Sequence, residues 1–161
     1  MTTDCAAARR YRPVPASIDL PAAEREILDF WDANDTFAAS LERTSGGAPW
    51  TFYEGPPTAN GMPGTHHIEA RVFKDVFPRF KTMQGFHVDR KAGWDCHGLP
   101  VELAVEKELG FNGKPDIEAY GVEAFNARCR ESVSRHVDAF TELTRRMGYW
   151  VNLDEPYWTM S

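Results

Sequence analysis

The sequence predicts an α/β fold, and three features of the chain support this prediction. A short β-type run at residues 50–53 leads into a loop rich in Gly and Pro, and a helix-prone segment begins near Thr65. A second alternating run follows at residues 86–90, so the predicted order is β-α-β, which favours parallel strands. Because both faces of a parallel sheet need cover, two strands are too few, and we interpret the chain as part of a larger doubly wound domain.

The N-terminal part of the chain is predicted to be an extended tail followed by a helical lead. Residues 1–16 are polar, basic and interrupted by proline, which is typical of an extended tail. Pro21 suits the first turn of a helix, and a helix is predicted over residues 22–31. A second short helix is predicted over residues 35–41. Together they make an N-terminal helical lead at residues 17–45.

The segment after the Gly/Pro loop is predicted to be an amphipathic helix that buries a broad apolar face. Its apolar residues recur at helical spacing and are Ile68, Val72, Phe73, Val76, Phe77, Phe80 and Met83. Pro78 lacks an N–H group and clashes with the carbonyl four residues earlier, so a kink or break is expected there. Gly85 is expected to end the helix.

The C-terminal half is predicted to be mainly helical. A short helix is expected over residues 101–109, after Pro100. A long helix is expected from about Val122 to Met147, since apolar residues repeat every three or four positions and indicate a core-facing stripe. Residues 150–161 contain aromatic side chains but receive no predicted element.

Composition and charge restrict the possible functions. The 161 residues carry 18 Lys and Arg against 24 Asp and Glu, a formal net charge of -6, which argues against a free-standing nucleic-acid binder. It leaves room for an RNA-handling enzyme that binds RNA through other regions. No apolar run has the length of a membrane span, and no secretory signal is seen. The three cysteines form no CxxC pair, so we expect reduced thiols, no zinc site and a cytoplasmic location.

The residues around position 60 are typical of a phosphate-binding turn. A strand, a glycine-rich loop and a helix N-terminus together direct backbone N–H groups and the helix dipole at an anion. His66 and His67 lie where the predicted helix begins. A nucleotide site is therefore expected here.

Three sequence blocks carry a resemblance to a known family. The first is Phe52–Gly61, which contains Pro-Pro-Thr-Ala-Asn-Gly; the second is Phe73–Asp75 followed by Pro78–Met83; the third is Arg90–Glu102, which contains Gly-Trp-Asp-Cys-His-Gly-Leu-Pro. These blocks resemble the class I aminoacyl-tRNA synthetases, and most of all the isoleucine enzymes among them. The resemblance covers nearly all of residues 20–160.

The resemblance implies a fold and an activity. Residues 46–161 would form the first half of a Rossmann-like nucleotide-binding catalytic domain, incomplete in this chain. The implied reaction is ATP-dependent activation of isoleucine, with Mg²⁺ accompanying ATP, and transfer of the isoleucyl group to tRNA through regions absent here. Enzymes of this family are several times longer and carry a second half-site with a Lys-Met-Ser-Lys-Ser-type loop. We therefore expect this chain alone to be inactive.

The resemblance also implies roles for individual residues. Asp95 would pair with the α-ammonium group of the amino acid, since a fixed carboxylate is the natural partner of an amine. His66 and His67 would act in catalysis by stabilising phosphate charge. The residues implied in binding the amino acid are Gly55, Pro56, Trp94, Asp95 and His97. The residues implied in binding ATP are Thr58, Asn60, Gly64, Thr65 and His67.

One motif departs from the family pattern. The family carries His-x-Gly-His at the start of the helix, whereas this chain has Gly64-Thr65-His66-His67. The last histidine is kept as His67, and the first histidine and the glycine are exchanged. Two interpretations stay open: His66 takes over the role of the first histidine, or ATP binding is impaired by an imidazole where the family has no Cβ atom.

Simpler interpretations stand beside these roles. Asp95 could only cap a turn, and Trp94 could only pack. At the level of the whole chain, the alternatives are a stand-alone, non-catalytic or vestigial module that binds a nucleotide or amino acid, and a relative specific for valine or leucine. The sequence does not report the oligomeric state.

Overall fold

The computed structural model describes residues 14–161, so most of the predicted N-terminal tail lies outside the described residues. The helices of the described part are α1 Leu20–Ala33, α2 Thr36–Arg43, α3 Thr65–Met83, α4 Leu99–Leu109, α5 Lys114–Tyr120, α6 Val122–Val133 and α7 Val137–Arg146. Its strands are β1 Phe52–Tyr53, β2 Arg90–Trp94 and β3 Asn152–Trp158. The predicted α/β fold is confirmed.

The three strands form one parallel sheet in the order β1-β2-β3. Phe52 pairs with Arg90, and Trp94 pairs with Trp158 at the carboxyl ends of the two longer strands. Because all three strands run in the same direction, the loops that leave β1, β2 and β3 meet at one edge of the sheet. This edge is where ligands bind in open α/β sheets.

Two sheet predictions are wrong in detail. The second strand was expected at residues 86–90 and lies at Arg90–Trp94, while β3 was not expected at all. β2 is the central strand and is buried at four of its five positions, so it lacks the alternation of a half-exposed strand. Residues 86–89 only approach the sheet, where His87 forms an isolated bridge with Pro49.

The long helix expected at residues 122–147 is two helices, α6 and α7, and α5 precedes them without having been predicted. The chain turns at residues 134–136, where the backbone N–H of His136 donates to the carbonyl of Ala59, 3.0 Å away. The turn allows Val133 and Phe140 to enter the same core cluster. A tertiary hydrogen bond therefore replaces the helical one at this point.

Helix α3 differs from its prediction in two ways. It runs unbroken through Pro78, which is buried, and the hydroxyl of Thr82 donates to the carbonyl of Pro78 at 2.9 Å. Gly85 follows the helix with φ +92°, as its predicted role as terminator requires. The apolar face expected to be buried is instead exposed, from 37% at Ile68 to 78% at Met83.

Polar and charged side chains explain this orientation of α3. The side that packs on the protein is here called the inner face and consists of Arg71, Lys74, Asp75, Pro78 and Arg79. Its charged groups find partners distant in sequence, such as the Thr144 hydroxyl, 3.2 Å from Arg71 Nε. The exposed side is here called the outer face and consists of Val72, Phe73, Val76, Phe77 and Phe80.

The main hydrophobic core lies under the loops at the carboxyl edge of the sheet. Its fully packed members are Ala59, Trp94, Cys96, Val101, Val133 and Phe140. A smaller cluster of Ala92, Tyr149 and Val151 lies farther back along the strands. The core thus supports the loop that follows β1 and the residues that follow β2.

The helical lead packs against the end of the chain, and both of its predicted helices are confirmed. Asp19 caps α1 by accepting from the backbone N–H of Ala22 at 3.1 Å. Trp31 contacts Trp150 edge-on with ring centroids 5.0 Å apart, and the Arg79 guanidinium lies 4.0 Å from the Trp150 ring centroid. No helix within residues 14–161 is long and apolar enough to cross a membrane.

Candidate amino-acid and nucleotide site

The candidate site begins at the loop that joins β1 to α3. Pro56 and Pro57 have no backbone N–H, so their carbonyls and neighbouring side chains must hold the loop. The backbone N–H of Asp95 donates to the carbonyl of Pro57 at 3.0 Å. This bond joins the loop after β1 to the carboxyl end of β2.

Asp95 is held in place by three hydrogen bonds to its carboxylate. The Thr58 hydroxyl donates to Oδ2 at 3.2 Å, and the His97 backbone N–H donates to Oδ1 at 3.2 Å. The Thr159 hydroxyl lies 3.4 Å from Oδ1. The carboxylate is therefore fixed at the edge of the sheet, a suitable place for a ligand's cationic group.

Thr159 is a site residue that sequence reasoning missed. Its hydroxyl accepts from the backbone N–H of Cys96 at 2.9 Å and lies 2.8 Å from Nδ1 of His97. It follows β3, the strand that was not predicted, at the same edge of the sheet as Asp95. Recognising β3 would have placed it there, because carboxyl ends of parallel strands lie together.

A second group of residues forms the start of α3. Nδ1 of His67 accepts from the backbone N–H of Gly64 at 2.9 Å, so the neutral ring carries its proton on Nε2. Burial lowers the pKa of His67, and the nearby charges of His66 and Arg71 lower it further. The bond orients the His67 ring and favours the neutral form.

His66 is exposed, and its ring centroid lies 3.8 Å from that of His67. A Cβ atom at Gly64 would lie 3.0 Å from Cε1 of His66, closer than ordinary packing. The glycine therefore makes room for the imidazole that follows two positions later. The exchange of Gly and His in this chain is thus accommodated locally.

The two groups are joined through the core rather than by direct contact. Phe140 is fully buried and meets His67 edge-on at 4.8 Å and Trp94 edge-on at 6.2 Å between ring centroids. Trp94 is 3% exposed and also contacts Trp158. The contacts of Trp94 in this structure are thus core contacts, and its role toward an amino acid stays a prediction.

The structure brings some predicted site residues together and separates others. Thr58, Asp95 and His97 meet, as do Gly64, His66 and His67. Asn60 lies apart from both sets, because its Nδ2 donates to the carbonyl of Pro100 at 3.2 Å and so connects the loop to the start of α4.

A cavity of about 250 Å³ opens beside His97, between α4 and α6. Its polar lining includes Glu102, Cys129 and Arg130. Burial, with Glu102 as the second cause, raises the pKa of the Cys129 thiol and keeps it protonated. Among the residues that the structure describes, no three His, Cys, Asp or Glu side chains cluster so as to hold a metal ion.

Comparison with known proteins gives consistent matches. An isoleucine–tRNA ligase of Cutibacterium acnes is 78% identical over 153 residues, which are 95% of this chain and 14% of that protein. A relative of the same name from Streptomyces avermitilis is 73% identical over 151 residues, 94% of this chain and 14% of the relative. One from Thermus thermophilus is 51% identical over 142 residues, 88% of this chain and again 14% of the relative. The chain thus spans a small part of the length of the curated relatives it matches.

A family model gives the broader relationship. It is described as tRNA synthetases class I (I, L, M and V), and it matches residues 26–161. The match includes the whole sheet, helix α3 and all the site residues described above. This chain therefore belongs to the class I tRNA synthetase family that comprises the I, L, M and V enzymes.

Proposed function

We propose that this chain forms the amino-acid side and part of the ATP side of the activation site of an isoleucine–tRNA ligase. The observation that carries the proposal is the fixed carboxylate of Asp95, held by Thr58 and His97 beside the Gly55–Pro57 loop. Relatives named isoleucine–tRNA ligase match the chain at up to 78% identity. Their name supports isoleucine as the amino acid.

In the proposed site, Asp95 accepts hydrogen bonds from the α-ammonium group of isoleucine. A carboxylate held by neighbouring donors needs little rearrangement when a cation arrives. Gly55 and Pro56 would form the wall beside it. Trp94 and His97 are proposed as supporting residues, since Trp94 packs beneath the edge and His97 donates its backbone N–H to Asp95.

ATP is proposed to bind at the N-terminus of α3. The first turn of a helix has N–H groups without intrahelical partners, and its dipole favours a phosphate. Gly64 at the N-cap has no side chain that could occupy the phosphate position. Because Nδ1 of His67 accepts a hydrogen bond, Nε2–H of the neutral ring can donate one. The other ATP contacts proposed are Thr58, Asn60, Thr65 and His66. Mg²⁺ would accompany the ATP phosphates.

The proposed chemistry needs no protein nucleophile. The isoleucine carboxylate attacks the α-phosphate, a new carboxylate–phosphate bond forms, and the bond to pyrophosphate breaks. The chain's part is to align the two substrates and to stabilise phosphate charge through His66, His67 and the helix N-terminus. Transfer of the isoleucyl group to tRNA is proposed to use parts of the protein beyond this chain. A cytoplasmic location belongs to the same proposal.

The domain assignment is part of the proposal as well. Residues 17–45 would be a helical lead, preceded by a tail at 1–16, and residues 46–161 would be the first half of the Rossmann-like catalytic domain. By itself the chain is expected to show no isoleucine-dependent exchange of pyrophosphate with ATP above the blank. Clear turnover by the isolated chain would contradict this division.

A full-length chimera tests the proposal. In it, this chain replaces the matching segment of the Cutibacterium acnes ligase; this protein is called the chimera below. Asp95→Asn is expected to raise the KM for isoleucine about tenfold to a hundredfold in the ATP–pyrophosphate exchange assay, because a charge-assisted bond is lost.

Asp89→Asn is the matched control, because Asp89 is an exposed aspartate at the other end of β2. It is expected to leave the KM for isoleucine unchanged. An unchanged KM in Asp95→Asn would show that Asp95 does not bind the ammonium group. Exchange that depends on valine or leucine rather than isoleucine would assign a different amino acid.

A further inference from the structure

Glu54 is a buried carboxylate that the proposed chemistry does not use. It follows β1 directly and is 3% exposed. Nζ of Lys74 lies 2.8 Å from Oε1, and the hydroxyl of Tyr149 donates to Oε2 at 2.5 Å. Helix α3 and the segment after α7 are thus both attached to this one side chain.

The backbone of Glu54 is held as well. Its N–H donates to the carbonyl of Lys91 in β2 at 2.9 Å, and its carbonyl accepts from the hydroxyl of Tyr157 in β3. All four polar groups of Glu54 therefore have partners on separate elements. The last residue before the Gly55–Pro57 loop is fixed in position and orientation.

Lys74 extends this arrangement into the loop. The same Nζ atom that pairs with Glu54 donates to the carbonyl of Gly55 at 2.7 Å. At the other end of the loop, the carbonyl of Pro57 is held by the N–H of Asp95. The Gly55–Pro57 loop is therefore anchored at both ends through its carbonyls. Its two prolines have no backbone N–H that could hold the loop instead.

Stability alone does not explain the charge of Glu54. Burial of a carboxylate is costly, and apolar residues often replace a buried ion pair with equal or better stability. A carboxylate at this point has a more specific effect: it holds the Lys74 ammonium within reach of the Gly55 carbonyl. The pair is suited to fixing a loop conformation.

We propose that Glu54 and Lys74 are positioning residues that hold the Gly55–Pro57 loop in the conformation that binds the amino acid. This inference rests on the proposed function, in which Gly55 and Pro56 line the amino-acid pocket. In this proposal neither side chain touches the substrate. Loss of either is therefore expected to weaken isoleucine binding while ATP binding at the start of α3 is retained.

The experiment uses the chimera and its ATP–pyrophosphate exchange. Lys74→Met removes the ammonium group and keeps an unbranched side chain, and Lys74→Arg keeps donors for both partners. Lys74→Met is expected to raise the KM for isoleucine about tenfold or more, since a misplaced loop loses substrate alignment. The KM for ATP is expected to stay within about twofold, a change too small to reflect a lost contact. Lys74→Arg is expected to recover most of the isoleucine affinity.

Lys114→Met is the matched control, because Lys114 forms an exposed ion pair with Glu118 on α5. It should leave both KM values unchanged. If Lys74→Met fails to fold, Glu54→Gln carries the test, because the amide is nearly isosteric with the carboxylate but lacks the charge that holds Lys74. It should raise the KM for isoleucine in the same way.

The outcomes separate this inference from the proposed function. A fall in melting temperature or kcat with both KM values unchanged would mean that the pair is merely structural, and the inference would be overturned. Equal increases in the KM for isoleucine and ATP would overturn it too. No isoleucine-dependent exchange by the folded, unsubstituted chimera would instead overturn the proposed function, and this inference with it.

Discussion

The two faces of α3 differ in chemistry and in exposure. The inner face carries charged side chains that pack on the protein, whereas the outer face carries apolar side chains that are exposed. On the inner face, Arg71 is 4% exposed and bonded to Thr144, and Lys74 bridges Glu54 and the Gly55 carbonyl. On the outer face, Phe73 is 64% exposed and Phe77 is 61% exposed. Helical periodicity identified the two faces correctly and assigned them the wrong way round.

The difference teaches that a charged helix face can be the packed one when its partners are supplied from far along the chain. The partners of the inner face are 20 residues away at Glu54 and 73 residues away at Thr144. Each bond satisfies a group whose burial would otherwise be costly. The hydrophobic pattern of a single helix does not show which distant residues will pair with its charged side chains.

The largest expected effect is the difference in unfolding free energy between two matched substitutions of phenylalanine by alanine, one beneath the inner face and one on the outer face. Phe140 is fully buried beneath the inner face, so Phe140→Ala is expected to lower the free energy of unfolding by about 3–5 kcal/mol. Phe77→Ala on the outer face is expected to change it by less than about 0.5 kcal/mol. Urea unfolding of the 161-residue chain, at protein concentrations low enough for the chain to be monomeric, measures both. Equal losses would mean that the outer face is buried in solution.

Gly93 in β2 allows a test of the contact between Tyr157 and the backbone carbonyl of Glu54. A Cβ atom at Gly93 would overlap the ring of Tyr157, whose hydroxyl holds the Glu54 carbonyl. Gly93→Ala is therefore expected to cost about 1–3 kcal/mol of unfolding free energy. Gly46→Ala is the control, because a Cβ atom there would have no neighbour within 4 Å. Tolerance of both changes would show that Tyr157 does not pack across β2.

Tyr149→Phe removes one partner of the Glu54 carboxylate. The expected loss of unfolding free energy is about 1–3 kcal/mol, because a buried acceptor is left without one of its donors. Burial first, and then the charge of Glu54, raises the pKa of Tyr149 well above its usual value. Above about pH 10 the unfolded tyrosine therefore loses its proton while the folded one keeps it, and stability falls as pH rises.

The pH dependence supplies the check on this prediction. Unfolding free energies measured at neutral pH and above pH 10 should decline more steeply in the unsubstituted chain than in Tyr149→Phe. Parallel declines would mean that Tyr149 is ionised as readily in the folded state as in the unfolded state.

The outer face is expected to affect association more than stability. A contiguous exposed apolar patch favours self-association, so the isolated chain should sediment as more than a monomer. The double variant Phe73→Glu with Phe77→Lys is expected to raise the monomer fraction with little change in unfolding free energy. Leu103→Glu with Val122→Lys changes exposed residues of other helices and serves as the control. An unsubstituted chain that sediments as a monomer would contradict this expectation.

The smallest expected effect is at the N-terminus of α3. The lowered pKa of His67 means that its folded form resists protonation as pH falls below about 6.5, where the unfolded histidine gains a proton. This contribution to stability is present above that pH and is lost below it. Titration of the His67 ring by NMR should give a midpoint below the usual value. A midpoint at or above it would show that the ring is not buried against Phe140.

Local signals in the sequence were sufficient for much of the fold. Pro21 and Gly85 marked the start of α1 and the end of α3, and the helical lead was predicted to within about two residues, the usual uncertainty of helix boundaries. The order of strand, glycine-rich loop and helix predicted a parallel α/β arrangement. The groups around Asp95 and around His67 were predicted as sites because they lie in short contiguous blocks, and their roles stay predictions.

The remaining features depend on contacts between distant parts of the chain. The turn between α6 and α7 follows from a bond between His136 and Ala59, and Thr159 reaches Asp95 only because β3 joins the sheet. Helix α3 continues through Pro78, which is buried on the inner face of the helix. Neither periodicity nor spacing contains this information.

The central claim is that this chain supplies a working amino-acid site to an isoleucine–tRNA ligase. The most direct test is the initial rate of isoleucine-dependent ATP–pyrophosphate exchange by the chimera, compared with the Cutibacterium acnes ligase and with that ligase lacking the segment. The account predicts a rate within about tenfold of the intact ligase, a difference of about 1.4 kcal/mol in activation free energy. A folded chimera that exchanges no faster than the protein lacking the segment would contradict it.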